Sequence, residues 1–274
     1  MKECFIQSTE STFKIQPWED SYKHLVAGFT TKNGGVSQGC FSSFNVGLHV
    51  NDSDNHVVKN RELLAEEINY PITKWVCSEQ VHGNHVVKVT KDDHGKGVTD
   101  YNSGIPGTDG FYTNEENVLL TSCYADCVPL YFLEPTKKYI GLAHAGWKGT
   151  IGNIGGSLIE KWLTEENMNV ENIQVVIGPS IGNCCYEVDD FVMNKVQDAF
   201  SNNLPPSILT DLPNGKYSLD LKEANKQLLI QAGIPKENIY VTTYCTSCNP
   251  NTFFSHRRDE GKTGRMMSFI GWRI

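Results

Sequence analysis

Three short stretches of this chain set a metal-binding or nucleophilic side chain beside glycine or proline. The first is Ser78-Glu79-Gln80-Val81-His82-Gly83, where the glycine after His82 lets backbone come close to a bound group. Taken alone, His82 reads equally well as a surface histidine at a turn. The second is Ala125-Asp126-Cys127-Val128-Pro129-Leu130, in which Cys127 opens the apolar run VPLYFL. A cysteine so placed is a thiolate ligand, a nucleophile, or simply a small core residue. The third is Ala143-His144-Ala145-Gly146-Trp147-Lys148-Gly149-Thr150, which follows the apolar strand Tyr139–Leu142. Glycines at 146, 149, 152 and 155 lead from it into a helix, whose free N–H groups suit an anion. A tightly packed strand-to-helix turn would also use glycine. Small residues around His144, followed by Trp147 and Lys148, favour a functional role.

Together, His82, Cys127 and His144 form a borderline-soft donor set that suits zinc or copper better than magnesium or calcium. Three protein ligands leave a fourth position for water or substrate, the mark of a catalytic site. An ion there lowers the pKa of bound water from ~15.7 to about 7 and so supplies hydroxide at neutral pH.

Other motifs fail on inspection. Gly35-Val36-Ser37-Gln38-Gly39 has the form of a nucleophile elbow, but no helix signal follows, so it reads as a glycine-rich loop. Gly261-Lys262-Thr263 ends like a phosphate-binding loop, yet His256 stands where the first glycine belongs. Asp52-Ser53-Asp54 lacks the glycine and glutamate of a calcium loop. Cys245-Thr246-Ser247-Cys248 has no second C-x-x-C partner, and the adjacent Cys184-Cys185 is poor spacing for two ligands of one tetrahedral ion. These cysteines read as residues flanking a tight turn beside the core.

The elements that must position the site are short. Apolar runs predict strands at His24–Thr30, Trp75–Cys77, Val86–Val89, Gly110–Thr113, Val118–Thr121, Val128–Leu133, Ile140–Ala143, Ile173–Ile177 and Ile239–Thr242. Helical periodicity appears at Val57–Ile68, Ile151–Leu163, Val188–Phe200 and Leu221–Gln231, the last with Asp220 as N-cap and Gly233 as its stop. Asp92–Pro106 reads as a long surface loop. Strands outnumber helices without regular alternation, which predicts an α+β fold, with residues 1–274 as a single catalytic domain.

The 274 residues include 24 basic and 32 acidic side chains, a net charge of −8 that disfavours nucleic acid as the main partner. The opening MKECFIQSTE has no apolar core of a secretory signal, and no stretch is long and apolar enough for a membrane span. The expectation is a cytoplasmic protein, in which nine cysteines, an odd number, are mostly reduced.

Over nearly its whole length the chain resembles the YlmD/YfiH family, long described as laccase-like polyphenol oxidases and assigned purine nucleoside phosphorylase and adenosine deaminase activity. The resemblance runs through Asn33-Gly34-Gly35-Val36-Ser37, Ser43-Phe44-Asn45-Val46-Gly47, Asn60-Arg61, Gln80-Val81-His82-Gly83 and Thr108-Asp109-Gly110. It continues in Ala125-Asp126-Cys127-Val128-Pro129, His144 to Thr150, Ile177 to Gly182, Cys184 to Val188, Cys245-Thr246, Phe254 to Asp259 and Thr263-Gly264-Arg265. It implies that His82, Cys127 and His144 are both the metal ligands and the catalytic centre. It also implies a complex mixed-sheet fold similar to the cytotoxic necrotising factor deamidases, where Cys127 and His144 would match a Cys–His pair. Two local departures are His256, where the family often has an aromatic residue, and the paired Cys245 and Cys248.

The implied chemistry is phosphorolysis of adenosine, inosine or methylthioadenosine, with zinc (or copper) as cofactor, together with deamination of adenosine. Phosphate needs cationic partners, for which Arg61, Lys148, Arg257, Arg258 and Arg265 are the candidates, with Asn45 and Gln80 as further substrate contacts. Asp109 is a candidate for protonating the leaving purine, and Glu79 and Asp126 are candidates for orienting the ligands. The usual zinc-deaminase signature is absent. The expected partners are a purine nucleoside and phosphate, with the chain a monomer or small homo-oligomer. The alternatives are a copper-dependent polyphenol oxidase, against which stand only eight histidines with no H-x-H pair, and a metal-free Cys127–His144 hydrolase or deamidase, which leaves His82 without a role. A non-catalytic partner protein is a fourth reading, with only the acidic charge in its favour.

Overall fold

The computed structural model describes residues 3–201 and 203–274. At its centre lie two apolar runs, Val128–Glu134 and Tyr139–Ala145, that are buried at every position. Strands of this kind need cover on both faces, and the surrounding layers supply it.

Among the described residues the strands form two six-stranded mixed sheets and a three-stranded ribbon. One sheet is ordered Phe5–Gln7, Thr12–Ile15, Leu25–Thr30, Met266–Trp272, Leu119–Tyr124, Trp75–Cys77. The other is ordered Ile239–Val241, Gln174–Ile177, Val128–Glu134, Tyr139–Ala145, Gly110–Thr113, Val86–Lys88. The ribbon joins Glu187–Val188, Tyr217–Leu219 and Leu209–Asp211.

Alternation along each strand sorts the side chains into layers. Phe13, Phe29, Leu120, Tyr131, Ile140 and Leu142 fill the space between the two large sheets. Leu130, Phe132, Ala143 and Ala145 face the other way, onto Ile154, Leu158, Trp162, Leu228 and Leu229 of the helices Ile154–Thr164 and Leu221–Gln231. Leu119, Trp75 and Phe269 cover the outer face of the first sheet together with Leu64 of the helix Asp54–Glu67. The result is two stacked sheets between outer helices, an α+β arrangement as expected. No helix among the described residues is long and apolar enough to cross a membrane.

Several elements sit where their local signals placed them. Trp75–Cys77, Gly110–Thr113 and Leu221–Gln231 coincide with expectation. Asp220 caps the last of these by accepting the Glu223 amide at 2.9 Å, and Gly233 takes the left-handed conformation after it, at φ 97°. The 92–106 stretch is irregular and contains the short turn Tyr101–Ser103. Ser37 is buried in a loop near the 3-10 turn Gly39–Phe41, with no helix after it of the kind an elbow needs.

Others differ. The strand expected to stop at Ala143 continues to Ala145, so His144 is a strand residue. The helix expected over Ile151–Leu163 is two helices, Trp147–Ile151 and Ile154–Thr164. They break at left-handed Asn153, whose side chain accepts the Gly156 amide at 3.1 Å and starts the second helix. The strands Phe5–Gln7, Thr12–Ile15 and Met266–Trp272 lie in stretches with no expected element. The last is buried throughout and lacks the alternation that marks a half-exposed strand.

Candidate metal centre

Strand register brings the first two candidate ligands together. In the central antiparallel pair Pro129 faces His144 and Val128 faces Ala145, so Cys127 stands at the mouth of the pair beside His144. The third arrives on the loop after Trp75–Cys77. The possible ligand atoms of His82, Cys127 and His144 all lie within 4.8 Å of one another. The two imidazoles meet edge to face, with ring centroids 4.8 Å apart. His144 is buried, Cys127 half-buried and His82 exposed, so the cluster runs from the core to solvent.

Asp109 fixes both histidines. Gly110 pairs with Ala143 on the neighbouring strand, which sets Asp109 beside His144. The Asp109 carboxylate accepts a bond from His144 Nδ1 at 2.9 Å. It also accepts the backbone amides of Val81, His82 and Gly83 at 3.1, 2.9 and 2.8 Å. Those amides converge because His82 holds a left-handed φ of 62°, rare for a residue with a side chain. Burial opposes the charge on Asp109, but His144 and the Gly83 and His82 amides outweigh it and hold the pKa below the usual carboxylate range. A carboxylate so committed is an acceptor, which leaves His144 Nε2 for the cluster.

Gly146 makes room. A Cβ there would stand 3.0 Å from Cys127 Sγ and 3.1 Å from His82 Cδ2. Burial disfavours the Cys127 thiolate, yet His144 and His82 bring its pKa down to about 6. The same interaction, helped by Asp109 and set against burial, lifts His144 to about 9. A stabilised thiolate with two imidazoles, one oriented by a carboxylate, is a donor set that fits a zinc-class ion.

The cluster opens into a cavity of about 370 Å³ that Gln80, Trp147, Tyr186, His256, Arg257 and Arg265 help to line. Arg257 lies over the Tyr186 ring, 5.0 Å from its centroid, and donates to the Glu187 carbonyl at 2.8 Å. His49 also lines the cavity. Burial, then the charges of Arg265 and Arg61, push its pKa down to about 4 and keep it neutral near pH 7.

The sequence-based candidates divide. Arg257, Arg265 and Gln80 reach the cavity, and Gln80 is clamped to the Cys123 backbone by bonds of 2.8 and 2.7 Å. Asn45 is buried behind it, where Oδ1 accepts the Arg265 amide at 2.9 Å. Arg61 is buried and donates to the carbonyls of Val46, Gly97 and Val98, each at 2.8 Å, away from the lining. Arg258 pairs with Asp259 at 2.7 Å and braces the Thr246 and Phe253 carbonyls. Lys148 is exposed above the Trp147 ring. Asp109 is itself fully buried, one layer behind the cavity. Glu79 accepts the Gly107 amide at 2.9 Å. Asp126, at a left-handed φ of 84°, accepts Thr246 Oγ1 at 2.5 Å, Ser255 Oγ at 3.0 Å and the Arg257 amide at 2.7 Å, and so ties the arginine loop to the strand that follows Cys127.

Sequence reasoning passed over His49, Ile181 and Tyr186. Tyr186 sits inside the Cys184–Val188 motif, which was its signal, whereas nothing local marks His49. The two cysteine motifs, far apart in the chain, meet in space: Cys184 and Cys185 reach Cys245 and Cys248 at their turn, and all four sulfurs fall within 4.8 Å of one another.

The family described as multi-copper polyphenol oxidoreductase laccase matches residues 26–273. A Bacillus subtilis protein named purine nucleoside phosphorylase YlmD is 49% identical, over 98% of this chain and 97% of that one. A Geobacillus stearothermophilus protein of the same name is 52% identical, over 90% of each. The crystal structure of YlmD from Geobacillus stearothermophilus superposes with a TM-score of 0.94 at 47% identity, covering 100% of both chains.

Proposed function

We propose that this chain, which belongs to the family described as multi-copper polyphenol oxidoreductase laccase, is a zinc-dependent purine nucleoside phosphorylase. The observation that carries the reading is one cavity in which a His–Cys–His cluster faces two arginines. The names of its relatives point the same way. Phosphate would attack C1′ of the nucleoside, the C1′–N9 bond would break, and its electron pair would leave with the purine.

His82, Cys127 and His144 are the residues that would hold zinc. Bound there, zinc supplies Lewis acidity and a water of lowered pKa. The protein's own groups bind and orient. Arg257 and Arg265 offer charge-assisted donors to phosphate, and the Tyr186 and Trp147 rings offer flat apolar surfaces to a purine. Asp109 is a positioning residue, since its four hydrogen bonds leave it to orient His144 and the His82 loop. Protonation of the leaving base therefore falls to a group facing the cavity, such as His256. The reading extends to adenosine, inosine and methylthioadenosine as substrates. It includes hydrolytic loss of the C6 amino group of adenosine as ammonia, and a chain acting as a single catalytic domain in the cytoplasm.

The family's description favours a second reading, copper-dependent oxidation of phenols. Against it, among the described residues the only other group of His, Cys, Asp or Glu able to hold a metal is the four-cysteine cluster, which has no imidazole. The decisive assay follows adenosine with and without phosphate in the zinc-loaded wild type and in His82→Ala. Phosphate-dependent release of adenine, lost in His82→Ala, is the expected result. Inosine formed without phosphate would report the deaminase half. Phenol oxidation by the copper-loaded protein, without phosphorolysis by the zinc form, would overturn the reading.

A further inference from the structure

The strands Gln174–Ile177 and Ile239–Val241 run parallel in adjacent positions, with Ile177 opposite Val241. Their loops therefore leave the sheet at the same edge. One carries Cys184 and Cys185, the other Cys245 and Cys248. The loops stay joined beyond the strands: Thr242 donates to the Ile177 carbonyl at 3.1 Å and Thr246 to the Ser180 carbonyl at 3.0 Å. We infer that these four cysteines form a second metal site, a closed four-thiolate centre for a zinc-class ion.

The sulfur geometry is that of a ligand set. Zinc–sulfur bonds of about 2.3 Å at tetrahedral angles put sulfurs about 3.8 Å apart. Here Cys248 Sγ lies 3.4 Å from Cys184 Sγ and 3.3 Å from Cys185 Sγ, and all four fall within 4.8 Å. Cys248 is thus nearly equidistant from two sulfurs, as around a shared ion, whereas a disulfide would single out one partner at about 2.05 Å. The surroundings suit thiolates. The Gly182 amide donates to Cys245 Sγ at 3.2 Å. Gly182 has no Cβ, and one would stand 3.2 Å from Cys184 Sγ and 3.5 Å from Cys245 Sγ. The buried Lys222 is held to the Thr242 and Tyr244 carbonyls at 3.3 and 2.9 Å, within electrostatic reach of Cys245 and Cys184. Binding releases the four thiol protons and involves no redox change.

Four protein ligands leave no position for substrate, so the role is structural. The ion would fasten one wall of the reaction cavity. Tyr186, next to Cys185, lines that cavity under Arg257. Thr246, next to Cys245, holds Asp126 beside Cys127.

The test loads reduced, full-length protein with Zn²⁺ alone. It measures metal content and zinc X-ray absorption in wild type, His82→Ala and Cys248→Ser. The expected wild type holds about two ions per chain. His82→Ala keeps one, in an all-sulfur shell at about 2.3 Å, and Cys248→Ser loses that ion alone. If the first centre binds no zinc, wild type holds one ion, still in the all-sulfur shell. The absorption spectrum of His82→Ala decides even if Cys248→Ser fails to fold. No zinc in His82→Ala, a shell of nitrogen and oxygen scatterers, or a disulfide among these cysteines under reducing conditions would overturn the inference.

Discussion

Asp109 and His144 are joined twice, through the backbone at 2.8 Å (His144 N–H to the Asp109 carbonyl) and through the side chains at 2.9 Å (His144 Nδ1 to the carboxylate). The double link fixes the imidazole's position and its tautomer together. The same carboxylate gathers the amides around His82, so one buried side chain orients two of the three candidate ligands.

Replacing Asp109 should therefore weaken the metal more than the fold. In Asp109→Asn the amide keeps one acceptor oxygen but turns an NH₂ toward backbone N–H donors. Zinc affinity is expected to fall about 10- to 100-fold, measured by competition with a chelator. An unchanged affinity would show that the histidines hold their positions without it.

Gly146 should not tolerate a methyl group. The Cβ of Gly146→Ala would press on Cys127 Sγ and His82 Cδ2 at 3.0 and 3.1 Å. Overpacking of this kind costs about 1–3 kcal/mol, and here it falls on the ligands. The expected variant has a wild-type circular dichroism spectrum and markedly weaker zinc binding. Wild-type zinc binding would mean that the cluster has slack the distances do not suggest.

Cys127 should be reactive in metal-free protein at a pH where ordinary thiols are not. With its pKa lowered to about 6 and that of His144 raised to about 9, the pair is thiolate and imidazolium between those values. Because the thiol pKa is lowered, acid has to reach about 6 before the thiolate is lost. Alkylation by iodoacetamide, followed at Cys127 by peptide mapping, should stay near its plateau at pH 7 and fall about tenfold per unit well below 6. An ordinary thiol would already be falling below about 8.5, and that profile at Cys127 would sink the assignment. Zinc should protect the residue.

Arg257 and Arg265 should govern phosphate. Charge-assisted hydrogen bonds contribute about 1.5–3 kcal/mol each, so Arg257→Ala is expected to raise the KM for phosphate by about tenfold or more. Arg61→Ala should act differently. It empties a buried site that braces three carbonyls, and should appear first as a lower melting temperature. Equal effects of the two substitutions on phosphate KM, with equal stability, would contradict this division.

Features that rest on neighbours in the chain are legible from residue order alone. Asp220 before Leu221–Gln231 marks a cap because the bond it makes is to a residue three positions on. His82, Cys127 and His144 stand out because residue type and flanking glycine or proline are local facts, and their donor chemistry names a class of ion. Features that depend on strand pairing emerge only in the folded chain. No spacing reveals that Gly110 lies opposite Ala143, and without that register Asp109 reads as an acid rather than as the group that orients His144. Arg61 and Arg265 are equal as letters, and only burial and bond partners separate a brace from a cavity wall. Adjacent Cys184 and Cys185 look unfit as ligands until the parallel pairing of Gln174–Ile177 with Ile239–Val241 carries Cys245 and Cys248 to them. Local spacing cannot encode such contacts, because the strand hydrogen bonds that create them join residues far apart in the chain.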